Sequence, residues 1–229
     1  MHNRENGMGS RVTVMRPKTR AGPGKRWKVV CLDVAHMGKP TGKDEGYVVG
    51  ELYEGMVALK YALILFDLLW EGPQFFPVLL LHGSYRRRQS YANFVKASVY
   101  LSCHATKAPG VPAVSYPREA NIHTKRIAEV FQRHLVNGEA QIPCALQELD
   151  YREASQSQGY ALVEAAEMHA ILVSPMVLGG AEVEIDETLL NIVANNLFNA
   201  LNFCYEEKMI VWKIKNDLYY RRRNKNDGP

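Results

Sequence analysis

Short apolar runs alternate along this chain with longer stretches whose apolar residues recur at helical spacing. Trp27-Lys-Val-Val-Cys-Leu-Asp-Val34 is β-rich and of strand length, as expected of a buried strand. Tyr53–Leu69 carries Met56, Leu59, Leu63, Phe66 and Leu69 on one helical face, and Gly72-Pro73 stops it. Phe75–Leu81 and Ser98–Cys103 read as further buried strands, with a short helix, Ser90–Lys96, between them. A loop with Pro109, Pro112 and Pro117 leads to a long helix, Ala120–Leu135. Ala161–Ala166 reads as a helical turn, and Ala170–Val173 as a fourth strand ended by Pro175. Asp186 to about Glu207 closes the chain as a helix bearing Leu189, Val193, Leu197, Leu201 and Phe203. Apolar strands flanked by helices predict a single α/β domain: a mostly parallel twisted sheet with helices on both faces.

Composition agrees with a packed domain and removes some classes. The chain has 229 residues, 47% of them hydrophobic and 23% charged, which excludes a wholly disordered or collagen-like protein. The longest apolar stretch, Met56–Trp70, is broken by Lys60 and Asp67, so it reads as a buried helix rather than a membrane span. The opening MHNRENGMGSRV has no apolar core, so synthesis in the cytoplasm without a signal peptide is expected. Cys31, Cys103, Cys144 and Cys204 are widely scattered, as expected of reduced core thiols.

Charge subdivides the chain. Residues 1–28 carry eight basic side chains against Glu5, and residues 208–229 carry seven against Asp217 and Asp227. The net charge of +4 therefore hides a net −8 on the residues between. The expected organisation is a basic, flexible arm over 1–26, the α/β domain over 27–207 and a basic tail over 208–229. Basic ends on an acidic body suit a polyanion partner: nucleic acid, an anionic cell-wall polymer or an acidic protein. Solvated tails that aid solubility explain the same charge. No nucleic-acid recognition motif accompanies it.

In open α/β sheets the site lies outside the carboxyl ends of the strands. The first strand is followed there by Asp33-Val-Ala-His36, and the third by Ser102-Cys-His104-Ala. Neutral imidazole is a common zinc ligand, and a catalytic zinc often has two histidines, one carboxylate and a water. The carboxylate should come from a nearby element: Glu54 opens the first long helix and Glu51 lies one turn earlier. Each histidine alone has a bland alternative as a hydrogen-bonded core residue. His2, His123 and His134 read as surface or supporting residues, His82 is a weaker candidate at the end of the second strand, and His169 lies at the wrong end of the fourth.

These residues carry a family resemblance. Val29-Val-Cys-Leu-Asp-Val-Ala-His36-Met-Gly38 is similar to a strand ending in Asp-x-Gly-His-Gly, and Tyr53-Glu54-Gly-Met-Val-Ala-Leu59 to a Glu-x-x-x-x-Leu helix start. Arg88-Gln-Ser-Tyr-Ala92-Asn93 matches Arg-x-x-x-Ala-Asn, and Ser102-Cys-His104-Ala105-Thr106 resembles Ser-x-His-Ala-Asn. In order and spacing, from about Lys28 to Tyr205, the chain resembles the zinc-dependent N-acetylmuramoyl-L-alanine amidases of the amidase-3 type, found in bacterial cell-wall remodelling and phage endolysins. The resemblance implies that His36, Glu54 and His104 bind Zn²⁺, with Glu51 as the fallback, and that Asp33 orients His36. It implies hydrolysis of the amide between muramic acid and L-alanine in peptidoglycan, with action at the cell wall. The basic ends would then hold an anionic wall polymer or a membrane surface.

One departure bears on the chemistry. The family's catalytic glutamate follows the last strand, where this chain has Ser174. A hydroxyl cannot act as that general base near neutral pH. Either catalysis is lost and the fold serves as a binding or scaffold protein, or another acid has taken over, from Glu164, Glu167 and Glu182. Ala35 and Met37 also replace small residues around His36, and Thr106 stands where an asparagine is usual.

Overall fold

The computed structural model describes residues 13–15, 27–37, 46–149, 168–179 and 185–210. The expected helical turn at 161–166, the acids Glu164, Glu167 and Glu182, most of the basic arm and all of the tail beyond residue 210 lie outside these residues. The elements are β1 (Val14–Met15), β2 (Lys28–Val34), β3 (Val48–Val49), β4 (Leu52–Tyr53), α1 (Glu54–Glu71), β5 (Phe75–Leu80), α2 (Tyr85–Phe94), β6 (Val99–Cys103), β7 (Thr106–Lys107), β8 (Ala113–Pro117), α3 (Ile122–Asn137), β9 (Ala145–Leu149), β10 (His169–Ser174), β11 (Val177–Leu178) and α4 (Glu187–Glu206).

Seven strands form one sheet in the order β1-β5-β2-β6-β10-β8-β9. The four strands expected from the sequence, β5, β2, β6 and β10, are its parallel centre. Their side chains alternate between two covered faces, which is why they read as continuous apolar runs. Val30, Leu32, Val34, Leu101, Ile171 and Val173 pack with Tyr61, Leu65, Phe131, Val193 and Leu197 of α1, α3 and α4. Cys31, Val78, Leu80, Tyr100 and Leu172 face the other way, with Ala92 of α2. Gly72 caps α1 as expected, and Asp186 accepts from Leu189 N at 2.8 Å to start α4. All four cysteines are free and buried. No helix among the described residues is long and apolar enough to cross a membrane.

Three features depart from the sequence reading. Helix α2 begins at Tyr85, five residues before the expected start, where the Ser84 side chain caps it by accepting from Arg87 N. It buries Arg88, Gln89 and Ala92, so its inward face is largely polar and gives no hydrophobic periodicity. The proline loop contains β8, which runs antiparallel to β10, and β9 extends the sheet beyond it. Proline is tolerated at the end of β8, where Pro117 makes no demand on the ladder. Within the basic arm, Val14 and Met15 pair antiparallel with Leu80 and Leu79.

At the amino end of β10, away from the carboxyl-end histidines, buried His169 bonds the Thr124 hydroxyl at 2.9 Å. Burial first, then the neighbouring charges of His123 and Lys28, push it down to about 4 from an ordinary 6.5. The unfolded chain therefore binds a proton that the folded chain refuses. This contribution to stability is complete above pH 6.5 and is lost as pH falls toward about 4, by on the order of 3 kcal/mol. Urea titrations over that window should show the His169→Gln chain losing less stability on acidification than the parent; equal slopes would remove His169 as the cause.

Candidate metal centre

Two strand ends and one helix start converge above the centre of the sheet. His36 leaves β2 just after Ala35, whose N–H bonds Cys103 O at 2.9 Å. His36 itself has φ +55, a left-handed conformation that a non-glycine residue adopts at a cost and that clusters at functional sites. His104 leaves β6, its N–H bonded to Val173 O of β10 at 2.8 Å, while Tyr61 of α1 donates its hydroxyl to His104 O at 3.0 Å. Glu54 is the first residue of α1, where the positive end of the helix favours an anion.

The Glu54 carboxylate is fully buried between the two rings. Its Oε1 lies 3.0 Å from His104 Nδ1, and its Oε2 lies 3.4 Å from His36 Nε2. Oε2 also accepts from Tyr47 N at 3.2 Å, and Glu54 N returns a bond to Tyr47 O at 2.9 Å. The His36 and His104 rings stand edge to face with centroids 5.9 Å apart. Burial lowers the His104 pKa, against the opposing pull of Glu54, which favours the neutral imidazole that metals require.

The donor set fits a divalent metal. One nitrogen from each histidine and one Glu54 oxygen all lie within 4.8 Å of one another. Two nitrogens and a carboxylate oxygen are the donor types that zinc takes, and each histidine has a Glu54 oxygen close by, Oε1 at 3.0 Å from His104 and Oε2 at 3.4 Å from His36. A metal-binding histidine normally gives its other ring nitrogen a polar partner. For His104 that partner is the Ser102 hydroxyl, 3.0 Å from Nε2.

No family model matches the chain, and no curated protein matches it in sequence. Solved structures do match. An N-acetylmuramoyl-L-alanine amidase from Clostridium difficile 630 superposes with a TM-score of 0.65 at 20% identity, over 80% of this chain and 98% of that one. The amidase AmiC2 of Nostoc punctiforme gives 0.64 at 20% identity, over 80% and 99%. The catalytic domain of the amidase CwlV from Bacillus (Paenibacillus) polymyxa gives 0.62 at 22% identity, over 78% and 98%. The chain has the fold of the N-acetylmuramoyl-L-alanine amidases.

Within this amidase fold the residues singled out from sequence take definite places. His36, Glu54 and His104 come together, whereas Glu51 is exposed on the turn before β4. Asp33 is fully buried beneath the site; its carboxylate meets Arg88 and the Tyr100 hydroxyl, and Ser102 lies opposite it in the β2–β6 ladder. The Ser102 hydroxyl in turn lies 3.0 Å from His104 Nε2. Ser174 is buried at the end of β10, one step past the Val173–Cys103 pair, and pairs with Ala113 of β8. It also lines an open cleft of about 340 Å³ with Thr106, Ser115, Gln147 and Leu172.

Two glycines that shape the centre escaped the sequence reading. Gly46 has φ +71, and a Cβ there would meet Glu54 Oε2 at 2.6 Å and the His36 ring at 2.7 Å. A Cβ on Gly55 would press on Ala35 O and His36 O at 3.3 Å each. Only the Glu-Gly repetition at 45–46 and 54–55 signals them in sequence. Under native mass spectrometry after exposure to Zn²⁺, the parent chain should retain one ion. His36→Ala, Glu54→Gln and His104→Ala should each lose it. Gly46→Ala should weaken retention by about tenfold or more, since a left-handed non-glycine residue alone costs about 1–2 kcal/mol. Retention by the His104→Ala and Glu54→Gln chains would place the ion elsewhere.

Proposed function

We propose that the chain is a zinc-dependent peptidoglycan hydrolase that cleaves the amide between N-acetylmuramic acid and L-alanine. The observation that carries this reading is the convergence of His36, Glu54 and His104 at the carboxyl ends of the parallel strands of an amidase fold. When bound, zinc supplies an acidified water and polarises the substrate carbonyl. Glu54 brings one negative charge to two neutral imidazoles, so the centre keeps a net positive charge toward the substrate. Ser102 holds the His104 ring from behind.

Ser174 limits the chemistry. It stands after the last strand, at the position where the family resemblance expects a glutamate to shuttle the proton to the leaving amine. A serine hydroxyl is too weak a base for that step, and removing a positioned acid–base group typically costs about 10²–10⁴ in rate. Muropeptide release from purified peptidoglycan should therefore be weak for the parent chain, rise by about 10²-fold or more for Ser174→Glu and vanish for His104→Ala. Strong release by the parent that Glu164→Gln or Glu167→Gln abolishes would assign the shuttle to that acid. Ser174 equally favours a second reading, a non-catalytic amidase-fold binding protein. No release from any variant, with zinc retained, would establish that reading.

The basic ends are assigned to an anionic wall polymer or membrane surface. Deletion of 1–12 and 211–229 spares the β1 pairing with β5. It should leave the melting temperature nearly unchanged and abolish salt-sensitive co-sedimentation with anionic wall polymer, because screening removes such contacts above about 0.1–0.2 M salt. A large fall in melting temperature would make the ends structural.

A further inference from the structure

The strand that delivers His36 runs past the end of its neighbour. The β2–β5 register stops at the Asp33–Leu80 pair, and Leu81 N turns away to Thr13 O at 3.0 Å. Val34 O and Leu81 O therefore lie beyond that ladder. Arg88 of α2 meets both. It is 1% exposed, and its Nη1 donates to Val34 O at 2.6 Å, with a longer bond to Leu81 O at 3.4 Å. The same nitrogen lies 2.8 Å from Asp33 Oδ1, and the Tyr100 hydroxyl donates to the other Asp33 oxygen. The guanidinium stands over the Tyr85 ring, 4.5 Å from its centroid. One buried cation is thus anchored by Asp33 and spent on two strand-end carbonyls.

These contacts bear on His36 through the backbone. Val34 O and Ala35 N belong to the same peptide unit. Arg88 holds its oxygen, and Cys103 O of β6 holds its N–H at 2.9 Å. A planar peptide gripped at both its oxygen and its N–H does not turn. The next residue, His36, has φ +55, a conformation that persists only where the surroundings over-determine it. Helix α1 restrains the far side, since a Cβ on Gly55 would stand 3.3 Å from Ala35 O and from His36 O. Stability alone does not call for the ion pair, because an apolar pair of similar volume often fills a buried site as well as two charges do. What an apolar residue at 88 would not supply is a donor for Val34 O, and an unmet buried carbonyl is costly.

We propose, on the reading of the cluster as a metal centre, that Arg88 is a positioning residue for His36. By holding the peptide that precedes it, the guanidinium fixes the turn that carries the imidazole to Glu54, where Nε2 lies 3.4 Å from Oε2. A ligand already in place when the ion arrives loses less freedom on binding. Supports outside the ligand set typically govern about 10–100-fold in metal affinity. The effect is local to one ligand. His104 is seated by Val173 O and by the Tyr61 hydroxyl, through bonds that do not include Arg88.

The test uses the whole chain and Zn²⁺ alone. Arg88→Met combined with Asp33→Asn removes both buried charges together, and Arg88→Lys keeps the charge on a shorter stem without the planar fork. Each should bind zinc about 10–100-fold more weakly than the parent in chelator competition, with circular dichroism unchanged. With ¹⁵N-labelled histidine, added zinc should shift the His104 ring nitrogens as in the parent and the His36 ring nitrogens much less. A merely structural role would move both histidines alike. Parental affinity in either variant, or equal loss of the zinc shift at His36 and His104, overturns the positioning role and leaves the metal centre standing. Failure of the parent chain to bind zinc overturns the metal centre and the positioning role together. Arg88→Lys decides the matter if the double variant misfolds.

Discussion

A carboxylate sealed from water must be surrounded by donors or cations, and Glu54 sets that demand at the centre of this protein. Its oxygens are met by His104, His36 and the Tyr47 amide, three groups from three different segments. To bring them together, β2 and β6 must end level with one another, α1 must start over them, and residues 46–47 must fold back across the gap. The left-handed His36 and the closely packed Gly46 and Gly55 are local costs of that arrangement. The parallel register of β5, β2, β6 and β10, with helices on both faces, supplies a frame stiff enough to sustain them.

The centre of the fold was legible because its strands are buried on both sides. β2, β5, β6 and β10 appear as unbroken apolar runs, and the strand-end rule then points to His36 and His104 from the order of residues alone. Glu54 was legible from its place at a helix start. The edges were harder. β8 lies among prolines and β9 is mostly exposed, so neither carries a strong pattern. The start of α2 was missed because its buried face holds Arg88 and Gln89, which read as surface residues until Asp33 is placed opposite.

The partners of Asp33 were beyond sequence reasoning for the same cause. Asp33 and Ser102 are 69 positions apart in the chain but lie opposite one another in the β2–β6 ladder. Parallel pairing brings them into register, and pairing register is invisible in a single sequence. Sequence proximity favoured His36 as the residue that Asp33 serves. The observed partners of Asp33 are Arg88 of α2 and Tyr100 of β6.

On the β10 side, the hydrogen bonds that seat His104 meet only main chain. His104 N and the Tyr61 hydroxyl both bond the Val173 carbonyl, and the side chain of Ser174 enters neither contact. Neither of these bonds depends on the side chain at 174. A different side chain at 174 would leave the hydrogen bonds that seat His104 against β10 unchanged.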